Sequence, residues 1–166
     1  MSMIGNYLRL PEAELQKVLE KPEDILEFLY PEDDSEPFGD RHLDTDKAWQ
    51  LTHFLLTGDA WVGAEPLRNA VLGGTEIGEE DVGYGPARYL TPSQVKSTSE
   101  ALAAIYPEQL WQRFDLDAVR KSKIYPSGWE GNEMDRTYIV EYYTSLQTFF
   151  AAAAVEEQQA MILYLN

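Results

Sequence analysis

The chain has 166 residues, with 29 Asp and Glu against 13 Lys and Arg, a formal net charge of -16, and no cysteine. That length suits one domain, and a content of 44% hydrophobic and 12% aromatic residues excludes a disordered acidic tail. The charge sets the chain against nucleic acid and anionic lipid, and the lack of cysteine removes disulfides, thiolate nucleophiles and Cys-ligated metals.

Residues 3–9 partly alternate and predict a short strand. Pro11 suits the first position of a helix, with Glu12 and Glu14 favourable near its N-terminus and Leu15, Val18 and Leu19 on one stripe. Pro22 opens a second short helix carrying Ile25, Leu26, Phe28 and Leu29, and residues 31–40 are a loop by composition. Asp44 can cap the next helix and Asp46 favours its first turn. That helix runs to about Thr57, where Gly58 suits a C-terminal cap, and Ala48, Trp49, Leu51, Phe54, Leu55 and Leu56 give it a wide buried face. Pro66 opens a short helix ended by Gly73-Gly74, Thr75 to Asp81 form an acidic loop, and Tyr84 to Leu90 form a strand.

Thr91-Pro92-Ser93-Gln94 is the clearest helix start, a capping box with proline at the first helical position. The helix continues past Val95 and Leu102. Pro107 begins a short helix with Leu110, Trp111 and Phe114, and Asp115 caps a turn carrying Leu116 and Val119. Residues 124–129 are irregular around Pro126 and Gly128. The longest helical signal runs from about Asp135 to Ala154, with Tyr138, Tyr142, Leu146, Phe149 and Phe150 on one face and Ile139 and Tyr143 beside them. Ala160 to Leu165 read as a closing strand. Helices outnumber strands, which predicts a single compact α+β domain over residues 1–166, several helices packed on a small mixed or antiparallel sheet.

Charge is uneven. Residues 11–46 hold 13 acids and 3 bases, whereas residues 88–136 balance seven against seven. The N-terminus lacks the pattern of a signal peptide, and the longest apolar run, Phe149 to Val155, is too short to span a membrane, so a cytoplasmic protein is expected.

Leu43-Asp44-Thr45-Asp46-Lys47-Ala48-Trp49, His53 to Gly58, Pro66-Leu67 with Ala70 to Gly74, Tyr84 to Tyr89 and Ile124-Tyr125-Pro126 follow one another, after Ser2 to Gly5, in an order that resembles the YfbM-like family of bacterial domains of unknown function. The resemblance spans nearly the whole chain. It implies a compact single α+β domain, and it implies no reaction, cofactor or catalytic residue.

Candidate site residues therefore rest on spacing. Asp46, Trp49 or Gln50, His53 and Thr57 recur at three and four residues on one helix, so a histidine, an aromatic and a carboxylate adjoin, as acid–base chemistry requires. The competing reading makes Trp49 core and leaves His53 bonded to nearby backbone. His42, Asp44 and Asp46 would point one way in an extended segment, but without a second ligand cluster no metal is assigned. In Gly83 to Tyr89, Arg88 can hold a carboxylate or phosphate, although a tight turn entering a strand, with Arg88 paired to an acid, suits the glycines and proline better.

Two functions follow. The first is a non-enzymatic protein-interaction module that binds a basic protein partner, in one form a toxin, through its acidic N-terminal surface. The alternative is a small-molecule-binding protein or enzyme whose pocket gathers Asp46, Trp49, His53, Tyr84, Arg88 and Trp129. No cofactor, nucleic acid or membrane partner is implied.

Overall fold

The two ends of the chain meet at the centre of the sheet. In a computed structural model, which describes residues 2–33 and 38–166, strand β1 (Gly5–Pro11) pairs antiparallel with β5 (Gln159–Leu165), from Gly5 opposite Leu165 to Pro11 opposite Gln159. β2 (His42–Asp44) adds to the outer side of β1, and β4 (Pro86–Leu90) and β3 (Thr75–Asp81) follow on the other side of β5. The order is β2-β1-β5-β4-β3, and each of these pairings is antiparallel.

The pleat of the central strands divides the core into two. Leu8, Leu10, Ala160, Ile162 and Tyr164 point to one side, where α1 (Glu12–Glu20) and α2 (Ile25–Leu29) contribute Leu15, Val18, Ile25 and Leu29. Tyr7, Met161 and Leu163 point to the other. There they meet the larger helical layer: α3 (Trp49–Thr57), α4 (Pro92–Ala103), α5 (Pro107–Trp111), α6 (Leu116–Lys121) and α7 (Glu133–Val155). Helices thus cover both faces, which is why β5 reads as an almost unbroken apolar run and not as an alternating one.

Local chemistry sets the boundaries. The Thr91 hydroxyl accepts from the Gln94 N–H at 3.3 Å, and the Gln94 side chain accepts from the Thr91 N–H at 2.9 Å. Gly58 ends α3 with φ at +80°, its N–H donating to the Phe54 carbonyl. Asp115 and Asn132 cap α6 and α7. In α7 the deepest face is Ile139, Tyr143, Leu146 and Phe150, while Tyr138 and Tyr142 lie on its half-buried flank.

Two expectations are corrected. Residues 75–81 are an edge strand, not an acidic loop. Its only buried side chain is Ile77, and Gly78 (φ +64°) sits in a bulged stretch, so the segment carries little strand signal of its own. Asp44 does not cap α3. It ends β2, and its Oδ1 accepts the Asp46 N–H, after which a 3₁₀ turn (Asp46–Ala48) leads into the helix. The expected loop over residues 31–40 lies partly outside the described residues.

Candidate functional site

The expected site residues do not meet in one hollow: Trp49 and Arg88 border one crevice, and Asp46 and Trp129 line another hollow. His53 is fully buried, and its Nε2–H donates to the Val62 carbonyl at 3.0 Å, which fixes the proton on that nitrogen. Asp59 holds the acceptor in place, since its Oδ1 accepts from the Trp61 and Val62 N–H groups. Burial lowers the His53 pKa. Its Nδ1 is buried with no hydrogen-bond partner among the described residues, and its bonded edge faces the chain just after its own helix. His53 lines none of the hollows bordered by Arg88 or Trp129 that are described below.

Arg88 extends from β4 and donates to the Gly73 carbonyl at 2.8 Å. Together with Tyr7 and Trp49 it borders an interior crevice too narrow to admit a ligand. Burial lowers the Arg88 pKa and raises that of Tyr7, whose hydroxyl donates to the Ala70 carbonyl. Tyr84 lies in the turn before β4, its N–H donating to the Leu165 carbonyl. His42 bonds Asn6 through Nε2 and Asp46 accepts from Tyr138, so the two ends of the proposed ligand trio are engaged with protein groups. Among the described residues no group of three or more His, Asp or Glu is placed to hold a metal ion.

Asp46, Trp49 and Trp129 gather elsewhere, around the segment 124–130 that joins α6 to α7. Tyr125 anchors it. The Tyr125 N–H donates to Gln50 Oε1 at 2.7 Å, its hydroxyl accepts from the Met3 N–H at 2.9 Å, and its ring stacks on Trp49 with centroids 5.8 Å apart. Its carbonyl accepts from Trp129 Nε1. Trp49 is itself fixed by a bond from Nε1 to the Met3 carbonyl. At the far end, Asp135 Oδ2 accepts from the Glu130 and Gly131 N–H groups.

This braced segment separates two hollows. The larger, about 670 Å³, is walled by Val119, Ile124, Pro126 and Trp129 and edged by Arg120 and Lys123. Its volume falls in the range of small-molecule sites. The smaller, about 420 Å³, lies between Trp129, Met134, Tyr138, Asp46 and Lys47. There the Tyr138 hydroxyl donates to Asp46 Oδ2 at 2.9 Å and accepts the Lys47 N–H at 3.0 Å. Partial burial, with the Asp46 carboxylate as its bonded neighbour, raises the Tyr138 pKa and keeps the phenol protonated.

Backbone conformation marks the same place. Three residues other than glycine have positive φ among those described: Asp46 (+48°), Lys123 (+53°) and Gln158 (+60°), and the first two border these hollows. Sequence spacing singles out Asp46 and Trp49, Trp129 enters only as a member of the expected pocket, and Arg120, Lys123, Tyr125 and Tyr138 do not enter it. Tyr138 carried the period of a core-facing helix, and nothing in spacing alone reports a left-handed lysine.

The family model of a domain of unknown function, DUF1877, matches residues 1–164. Protein YfbM of Escherichia coli (strain K12) is 24% identical over 155 residues, which make up 92% of this chain and 90% of that protein. The crystal structure of a protein of unknown function, YfbM from Escherichia coli, shares the fold with a TM-score of 0.72 at 21% identity, covering 98% of this chain and 99% of the other. A match that runs over nearly every residue makes the conclusion direct: the chain belongs to the YfbM-like family of domains of unknown function, DUF1877.

Proposed function

We propose that the chain is a protein-interaction module that binds a basic partner through an acidic face, toxin neutralisation being one form such a role takes. The observation that carries this reading is the packing of β3 against the N-terminal acidic segment. Gly78 lies so close to Pro22 that an added Cβ would come within 3.0 Å of the proline Cβ. That contact sets the exposed Glu79 and Glu80 of β3 beside the 3₁₀ turn Pro22–Asp24 and α2, with exposed Glu23, Asp24 and Glu27. In this reading the two acidic stretches, some fifty residues apart, act as one negative surface, which would speed encounter with a positive one.

The test is a pull-down from lysate at about 50 and about 300 mM salt, since the screening length falls from about 14 Å to about 6 Å over that range. Wild type is compared with the variant Glu23→Lys, Glu27→Lys, Glu79→Lys, Glu80→Lys. These four side chains make no ion pair among the described residues, so reversal spares the fold. The expected result is a basic protein retained at low salt, released at high salt and not bound by the variant. Retention by the variant, or no partner at either salt, overturns the reading. A small-molecule site around Trp49, His53 and Arg88 has less support, because His53 and Arg88 are engaged by backbone carbonyls and the Arg88 crevice admits no ligand.

A further inference from the structure

The larger hollow beside Trp129 is lined by two cations, Arg120 and Lys123, and one carboxylate, Glu130. In a chain with 29 carboxylates, Arg120 and Lys123 are exposed at its edge and form no ion pair among the described residues. Arg9, Arg41 and Arg136 are paired with glutamate, and the remaining lysines and arginines, like Arg120 and Lys123, form no ion pair among the described residues. One carboxylate, Glu130, also borders the hollow, and its Oε2 accepts from Asn132 Nδ2.

Lys123 is placed there at a cost. It follows the last residues of α6, where the Lys123 N–H donates to the Arg120 carbonyl and the Ile124 N–H to the Val119 carbonyl, the two bonds that close a helix on a left-handed residue. Glycine suits that position, and Lys121 already supplies a cation to the helix end. A lysine held in this conformation puts a second cation, beside Arg120, at the mouth of the cleft. The wall opposite is apolar and rigid: Trp129 is tied to the Tyr125 carbonyl, and Tyr125 is held by Gln50, Met3 and Trp49. A wall braced in advance lowers the ordering cost of binding.

We propose that this cleft binds a small molecule with a flat apolar body and an anionic head, the body against Pro126 and Trp129 and the head held by Arg120 and Lys123. Carboxylate and phosphate heads share the chemistry that two cations recognise, and the test separates them.

The probes are 2-naphthoate, 1-naphthyl phosphate and the neutral 2-naphthamide, each titrated by calorimetry and by the indole N–H resonance of Trp129, assigned with Trp129→Phe. The expected result is saturable movement of that resonance by at least one anion, with the tighter anion identifying the head. The amide should bind about tenfold more weakly than that anion. Arg120→Ala with Lys123→Ala should lower anion affinity about tenfold and leave the amide unchanged. Lys123→Gly removes one cation while relieving the backbone, so its weaker anion binding cannot come from misfolding. The proposal is overturned if neither anion moves the Trp129 resonance, if the amide binds as tightly as the anions, or if both variants bind the anions like wild type.

Discussion

Lys123 holds a backbone conformation that costs a side chain about 1 kcal/mol and glycine nothing. Lys123→Gly is therefore expected to raise unfolding stability by about 0.5–1 kcal/mol in urea titration while weakening anion binding, the trade expected where strain serves a site. Gly5 is the opposite case. A Cβ there would lie 2.6 Å from Thr45 Oγ1 and 2.9 Å from Trp49 Cβ, and Thr45 is bonded to the Gly5 carbonyl. Gly5→Ala should cost about 1–3 kcal/mol, read from the shift of the urea midpoint, because the tryptophan it displaces is also the support of Tyr125. His53 adds a pH dependence. Burial holds its folded pKa below the unfolded value of 6.5, with the bond to the Val62 carbonyl and then Asp59 opposing that shift and Arg88 and Arg68 adding to it. The unfolded chain thus takes up a proton that the folded chain refuses, so the His53 contribution is complete above about pH 6.5 and declines as pH falls below it. Urea midpoints at about pH 7.5 and 5.5 should fall further for wild type than for His53→Gln, and equal falls would show that the ring does not control this window.

At the scale of elements, the strongest local signals were also the most reliable. Thr91→Ala removes one of the two reciprocal bonds that start α4, and is expected to cost about 1 kcal/mol in thermal or urea unfolding. The same kind of chemistry made Gly58, Asp115 and the 3.6-residue period of α7 legible in the sequence, because each acts through neighbours a few residues away. β3 was not legible. Its Thr75-Glu76 end pairs with Tyr89 and Arg88 of β4, and Ile77 alone anchors it in the core, so partners from elsewhere decide its conformation. Likewise β5 read as a closing strand, whereas only tertiary pairing shows that it is the centre of the sheet. The candidate site divided the same way. Helical spacing placed Asp46, Trp49 and His53 near one another, but the partner each side chain meets, the Tyr138 hydroxyl, the Met3 carbonyl and the Val62 carbonyl respectively, lies outside the helix and is set by tertiary packing. A buried histidine and a cleft-facing tryptophan look alike in a sequence.

Across the whole molecule, the net charge of -16 resolves into two regions with different physics. Residues 11–46 hold 13 acids against 3 bases and β3 carries four more acids, whereas the larger cleft is built from residues 119–130, inside a stretch where acids and bases balance. The two surfaces should therefore respond oppositely to salt. On the acidic face, like charges crowd one another in the folded state, so screening stabilises the isolated chain. Thermal unfolding from about 20 to about 300 mM sodium chloride should show a rising Tm, each kcal/mol relieved corresponding to about 2–4 °C in a domain of this size. The choice of residues decides what that rise means. Asp81 accepts from the Gly83 and Gly85 N–H groups, and Glu76 stands opposite Arg88, so reversing either would disturb the β3–β4 turn or its pairing. Glu79 and Glu80 are exposed and make no ion pair among the described residues. Glu79→Lys with Glu80→Lys should begin at a higher Tm in low salt and gain less from added salt than wild type. Parallel salt curves for the two proteins would mean that self-repulsion is spread over the molecule and not concentrated where β3 meets the N-terminal segment.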